Sequence, residues 1–157
     1  MSTPANAMPS QAEIEKRSRE WTQQEYTRAM RHLLNQGFTD TQVSQPTSRV
    51  LPPLVALWHF KAKQDGKSIQ LWVVSGADLP VDHVAESAAG NARDALRHFY
   101  MHWQLKAAQL EQRLEENKVD VGNPQLQTDY MKSLQRGAER LFQVTNEDRL
   151  WPETPKA

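Results

Sequence analysis

The sequence predicts an α+β domain in the order helix, two-stranded antiparallel hairpin, long helix, helix, and three observations carry that prediction. Ala85, Ala89, Ala92, Leu96, Phe99, Trp103, Ala107, Leu110 and Leu114 recur at steps of three or four, the signature of one apolar stripe along a helix. Two β-rich runs, 54–62 and 68–75, flank Gln64-Asp65-Gly66-Lys67, and Asp-Gly between such runs is a strong short hairpin signal. Asn123 and Pro124 supply a cap and a first-turn proline for a further helix.

Composition narrows the function classes. Nineteen basic and nineteen acidic side chains cancel, so no global field attracts nucleic acid or an anionic membrane, and neither is expected as a partner. The absence of cysteine removes disulfides, thiol nucleophiles and Cys-ligated zinc, and fits a cytoplasmic location. No run approaches the ~18 apolar residues of a membrane span. Residues 1–13 lack the apolar core of a secretory signal and read as a disordered leader, 14–151 as a single α+β domain, and 152–157 as a loose tail.

Helix one is expected over 14–36, where Trp21, Tyr26, Ala29, Met30, Leu33 and Leu34 keep helical spacing up to Gly37, a residue suited to the left-handed turn that ends helices. Arg17, Arg19, Arg28 and Arg31 stand among glutamates, the pattern of a solvated face with local ion pairs. Residues 38–53 read as a connection, with Arg49 to Leu51 as a possible short edge strand.

A two-residue Asp65-Gly66 loop sets the hairpin register. It pairs Phe60 with Leu71, Trp58 with Val73 and Ala56 with Ser75 on one face, and His59 with Trp72 and Leu57 with Val74 on the other. Both faces are apolar, so helix two can cover only one of them. The second face, Val55, Leu57, His59, Trp72 and Val74, is left to helix one or to a partner protein. Asp82 is placed to cap helix two, which runs on to 118 and would be ~54 Å long at about 1.5 Å per residue. Helix three, with Leu126, Tyr130, Leu134, Ala138 and Leu141 in one stripe, escorts its second half after a short link at 119–122.

Leu51-Pro52-Pro53-Leu54-Val55-Ala56-Leu57-Trp58, Leu71-Trp72-Val73-Val74-Ser75-Gly76, Asp78-Leu79-Pro80, Asp82-His83 and Leu96-Arg97-His98-Phe99 together resemble a family of small bacterial proteins known as a domain of unknown function. The likeness covers 21–114 and departs from the family pattern at Ala77, inserted between Gly76 and Asp78. The resemblance implies no activity, cofactor or catalytic residue.

Two constellations carry potential chemistry. Asp94, His98 and His102 are spaced by four, so they project from one helix face, and a helical His pair at that spacing can bind zinc. Without a His-Glu-x-x-His motif, a polar ridge is the stronger reading. Asp78, Asp82, His83 and Glu86 gather at the strand-to-helix turn, where a carboxylate can orient His83 as a general base. Capping and turn formation explain the same residues, and no nucleophile or phosphate loop accompanies them. Of the five tryptophans, Trp58 and Trp103 lie on core stripes, whereas Trp72 belongs to the second hairpin face.

The expected function is a non-catalytic protein-interaction module without a cofactor; the unpaired edge of its hairpin is to be closed either by the Arg49–Leu51 segment or by the same hairpin from a second chain, and the homodimer is slightly preferred. The alternatives are a small enzyme using Asp78, Asp82 and His83, and a metal-binding protein using Asp94, His98 and His102.

Overall fold

The structure, a computed structural model, describes residues 8–116 and 123–152. It is an α+β fold with α1 (Gln11–Asn35), β1 (Thr39–Val43), β2 (Arg49–Leu51), β3 (Val55–Gln64), β4 (Lys67–Ser75), β5 (Asp82–Ala85), α2 (Ala92–Glu115) and α3 (Pro124–Thr145). Single 3-10 turns at Glu86–Ala88 and Asp148–Leu150 follow β5 and α3. Of the expected leader, residues 1–7 lie outside the described residues, whereas 11–13 are not disordered but form the first turn of α1; the link at 119–122 and the tail from 153 also lie outside the described residues.

α1 starts at Gln11 because the Ser10 hydroxyl accepts the Glu13 amide at 3.2 Å, and it stops at Gly37, whose φ is 90°. The β3–β4 hairpin has the register its Asp65-Gly66 turn dictates: Phe60 opposite Leu71, His59 opposite Trp72, Leu57 opposite Val74 and Ala56 opposite Ser75. Both turn residues adopt positive φ, 54° and 77°, the requirement of a tight two-residue hairpin loop.

The hairpin is the centre of a five-stranded antiparallel sheet rather than a sheet of its own. β1 and β2 lie one after the other along the outer edge of β3, and β5 lies along β4. Residues 38–53 therefore hold the expected edge strand at Arg49–Leu51 and an unexpected one, β1. Its pairing with β3 is irregular between Thr39 and Gln42, next to Asp40 at φ 50°, which hides its alternation in the sequence. The hairpin edges proposed for dimer formation are both paired within the chain.

The start of helix two is also corrected. Residues 82–85 pair with β4, Val74 opposite Asp82 and Leu71 opposite Ala85, so Asp82 opens a strand and caps no helix. The cap is Asn91, whose side chain accepts the Asp94 amide at 2.9 Å, and α2 has 24 residues, ~36 Å at about 1.5 Å per residue. Asn123 caps α3 with Pro124 in its first turn, as the sequence predicts.

Helices cover both faces of the sheet. Ala29 and Leu33 of α1 lie in one cluster with Ala56, Trp58, Phe60, Leu71 and Val73, and Tyr26 meets the rings of Trp58 and Phe60 at 5.5 and 6.2 Å. Val55, Leu57, Trp72 and Val74 form the other cluster with Leu96, Phe99 and Trp103 of α2 and Leu134, Ala138 and Leu141 of α3. The coverage is the reverse of the expected one. The paired helices make a layer wide enough for the face carrying Trp72, whose Nε1 donates to the Ala89 carbonyl at 3.0 Å, and the single helix takes the other.

Candidate functional site

The turn between β4 and β5 is held from α1. Nη1 of Arg28 donates to the Gly76 carbonyl at 2.8 Å and Nη2 to the Leu79 carbonyl at 3.2 Å, while Glu25, itself buried, grips the same Nη1 at 2.6 and 2.9 Å. Gly76 is required here by space: a Cβ would stand 2.5 Å from Leu79 Cδ1 and 2.8 Å from the Leu54 carbonyl oxygen. Asp78 follows on left-handed backbone, φ 61°.

Past the turn, alternation along β5 separates the residues that the sequence grouped. Asp82 Oδ2 accepts the Trp103 Nε1 proton at 2.9 Å on the α2 side, and its Oδ1 accepts the His83 amide at 2.8 Å. The His83 ring turns to α1, with Nδ1 2.8 Å from His32 Nε2 and the Phe38 ring 5.4 Å away. Asp78 is exposed at the mouth of the turn, and Glu86 bonds His59 instead. No single acid–base group is assembled from Asp78, Asp82 and His83. Burial pushes the His32 pKa below 6.5, the neighbouring His83 acts in the same direction, and Asp82 opposes both.

Asp94, His98 and His102 stand on α2 with the two imidazoles nearly parallel, 6.2 Å between centroids. Asp94 is engaged by Arg97 at 2.5 Å and by its cap partner Asn91 at 3.1 Å. Among the described residues no group of three or more His, Cys, Asp or Glu side chains is placed to hold a metal ion. Val55, Leu57, Trp72 and Val74, expected to meet a partner, are 0 to 3% exposed beneath α2 and α3. The fifth residue of that set, His59, stacks on Trp72 with centroids 4.3 Å apart.

Three features were not read from the sequence. His59 bonds Glu86 through Nε2 and Thr47 through Nδ1, the latter at 2.6 Å, which links a hydroxyl, an imidazole and a carboxylate from three separate segments. A groove of about 400 Å³ runs between α2 and α3, floored by Ala107, Ala108 and Ala138 and walled by Phe142. A cleft of about 610 Å³ lies between the 78–80 turn and α3, lined by Asp78, Leu79, Pro80, Ser133, Arg136 and Arg140. The i, i+4 spacing of Arg136 and Arg140 was legible, but the wall they face was not.

A family model for a domain of unknown function matches residues 15–151. No curated protein and no solved structure matches the chain.

Proposed function

The chain belongs to that family, Domain of unknown function (DUF4826), which brings no activity with it, and from the geometry we propose a non-catalytic, cytoplasmic protein-interaction module that docks its partner on the outer side of the α2–α3 pair. The observation that supports this reading is the exposure of Met101, Leu105 and Phe142, at 61, 58 and 49%, around the apolar groove. Met101, Leu105 and Ala108 fall at helical spacing on one stripe of α2, and Ala108 also floors the groove, so stripe and groove adjoin. An amphipathic helix laid into such a groove buries its apolar side chains there. Glu111 and Glu139 on the rim favour basic residues flanking that helix. A second copy of the chain is the simplest such partner to test.

The test pairs light scattering across a dilution series with affinity capture, on the wild type and on a Leu105→Glu, Phe142→Glu double variant. Leu105 is exposed, and Phe142 meets the Tyr100 ring at 5.5 Å, so a wild-type circular dichroism spectrum of the variant is the check that it is folded. Loss of self-association or of a defined captured protein in the variant supports the module. A wild type that stays monomeric at high concentration and captures the same proteins as the variant removes it.

The Thr47–His59–Glu86 chain favours a second reading, a small hydrolase in which His59 Nδ1 takes the proton of the Thr47 hydroxyl and Glu86 holds the imidazole in that tautomer. Thr47 is exposed and reachable. Labelling by a fluorophosphonate that disappears in Thr47→Val supports it, and labelling absent from the wild type removes it.

A further inference from the structure

We propose that the cleft between the 78–80 turn and α3 binds a phosphate monoester of a small polyhydroxylated molecule. Arg136 and Arg140 stand one helical turn apart on one wall, with the Ser133 hydroxyl beside them and the Asp78 carboxylate opposite. Arg140 is already positioned, because its Nη1 donates to the Ala77 carbonyl of the turn. Arg136 is exposed, and among the described residues neither it nor Ser133 makes a side-chain hydrogen bond or ion pair.

The charges on the two walls do not satisfy one another. No ion pair within 4.0 Å joins Asp78 to either arginine among the described residues, and all three line the same cleft of about 610 Å³. One guanidinium fork is sufficient for a carboxylate. Two forks and a hydroxyl suit a phosphate monoester, which carries a charge of about −1.5 to −2 and three acceptor oxygens. The oxygens of the Asp78 side chain serve as acceptors, so the far end of the ligand must donate, as sugar hydroxyls do. Pro80, half-buried, offers an apolar surface to the body of such a molecule. The cavity lies within the range of about 300 to 1,000 Å³ common for small-molecule sites.

The cleft is preformed. Arg28 fixes the carbonyls of Gly76 and Leu79, Arg140 fixes that of Ala77, and Gly76 leaves no room for another residue, so the Asp78 wall is held against α3 before any ligand arrives. The chain has no net charge, so attraction of an anion must come from this local pair of arginines.

The probes are glucose 6-phosphate, inorganic phosphate and glucose, titrated into isotope-labelled protein and followed by amide chemical shifts. Glucose 6-phosphate is expected to saturate shifts at 78–80 and 133–140 and inorganic phosphate to do so more weakly, while glucose has no effect. Arg136→Gln, at an exposed position, keeps the fold and weakens glucose 6-phosphate roughly tenfold or more. Asp78→Asn reduces the advantage of the ester over inorganic phosphate. Absence of saturable shifts in this cleft with both phosphates overturns the proposal, as does unchanged affinity in Arg136→Gln. Equal affinity of wild type for ester and inorganic phosphate overturns the assignment of a monoester.

Discussion

His32, in the last turn of α1, and His83, on the edge strand β5, share one hydrogen bond, Nε2 to Nδ1 at 2.8 Å. Such a bond needs one ring to donate and the other to accept, so it cannot survive protonation of both. It ties the end of α1 to the far edge of the sheet.

Burial holds the His32 pKa below 6.5, with the charge of His83 adding to the effect and that of Asp82 opposing it. The unfolded chain therefore binds a proton here at higher pH than the folded chain does. Stability is fully present above about pH 6.5 and declines as pH falls from there through the lowered native value. Urea midpoints measured on either side of this window should show a smaller acid loss in His32→Gln than in the wild type. Equal losses would assign the acid sensitivity to other groups.

Gly137 of α3 faces Trp103 of α2 so closely that a Cβ would sit 2.9 Å from Cζ3, 3.1 Å from Cε3 and 3.3 Å from Pro80 Cδ. The indole cannot retreat, since it is 1% exposed and its Nε1 is held by Asp82. Gly137→Ala gains about 1 kcal/mol of helix propensity but forces an overpacked contact costing roughly 1 to 3 kcal/mol. A lower melting temperature is expected. A higher one would show that the two helices separate without cost.

The hairpin was legible because its register follows from one turn whose chemistry is local, and α1 and the Asn123–Pro124 start of α3 are local in the same way. β5 was not, because Ala85, Ala89 and Ala92 continue the α2 stripe by spacing alone, and only pairing with β4 makes a strand of 82–85. Gly90 followed by Asn91 was the available signal of a later helix start. The site is least legible of all. Thr47, His59 and Glu86 meet through three strand connections, and the Arg136–Arg140 wall acquires its partner from a turn more than fifty residues away.

Val74 separates the two accounts of the sheet. It lies between Leu57 on β3 and Asp82 on β5 and is completely buried under the α2–α3 layer. Val74→Lys places an ammonium group in that layer at a cost of several kcal/mol, on the order of the stability of a small domain. Circular dichroism should show a chain that is unfolded or melts far below the wild type. A stable variant with wild-type melting would mean that this face is open to solvent after all.

Trp151 closes the sheet and helix layers at their C-terminal end. Its ring is 2% exposed, its Nε1 donates to the Val144 carbonyl at 3.0 Å, and the guanidinium carbons of Arg49 and Arg93 lie 5.5 and 5.8 Å from its ring. Arg93 is fixed in turn by the Thr145 carbonyl at 2.9 Å and Asp148 at 2.7 Å. Removing the indole leaves a cavity beside the buried Arg93 and the half-buried Arg49, so Trp151→Ala should lose about 3 to 5 kcal/mol. Trp151→Phe keeps most of the packing and should lose about 1 kcal/mol with the Nε1 hydrogen bond. Chemical denaturation of the two variants checks both values, and a Trp151→Ala loss no larger than that of Trp151→Phe would show that the ring is not part of the packed core in solution.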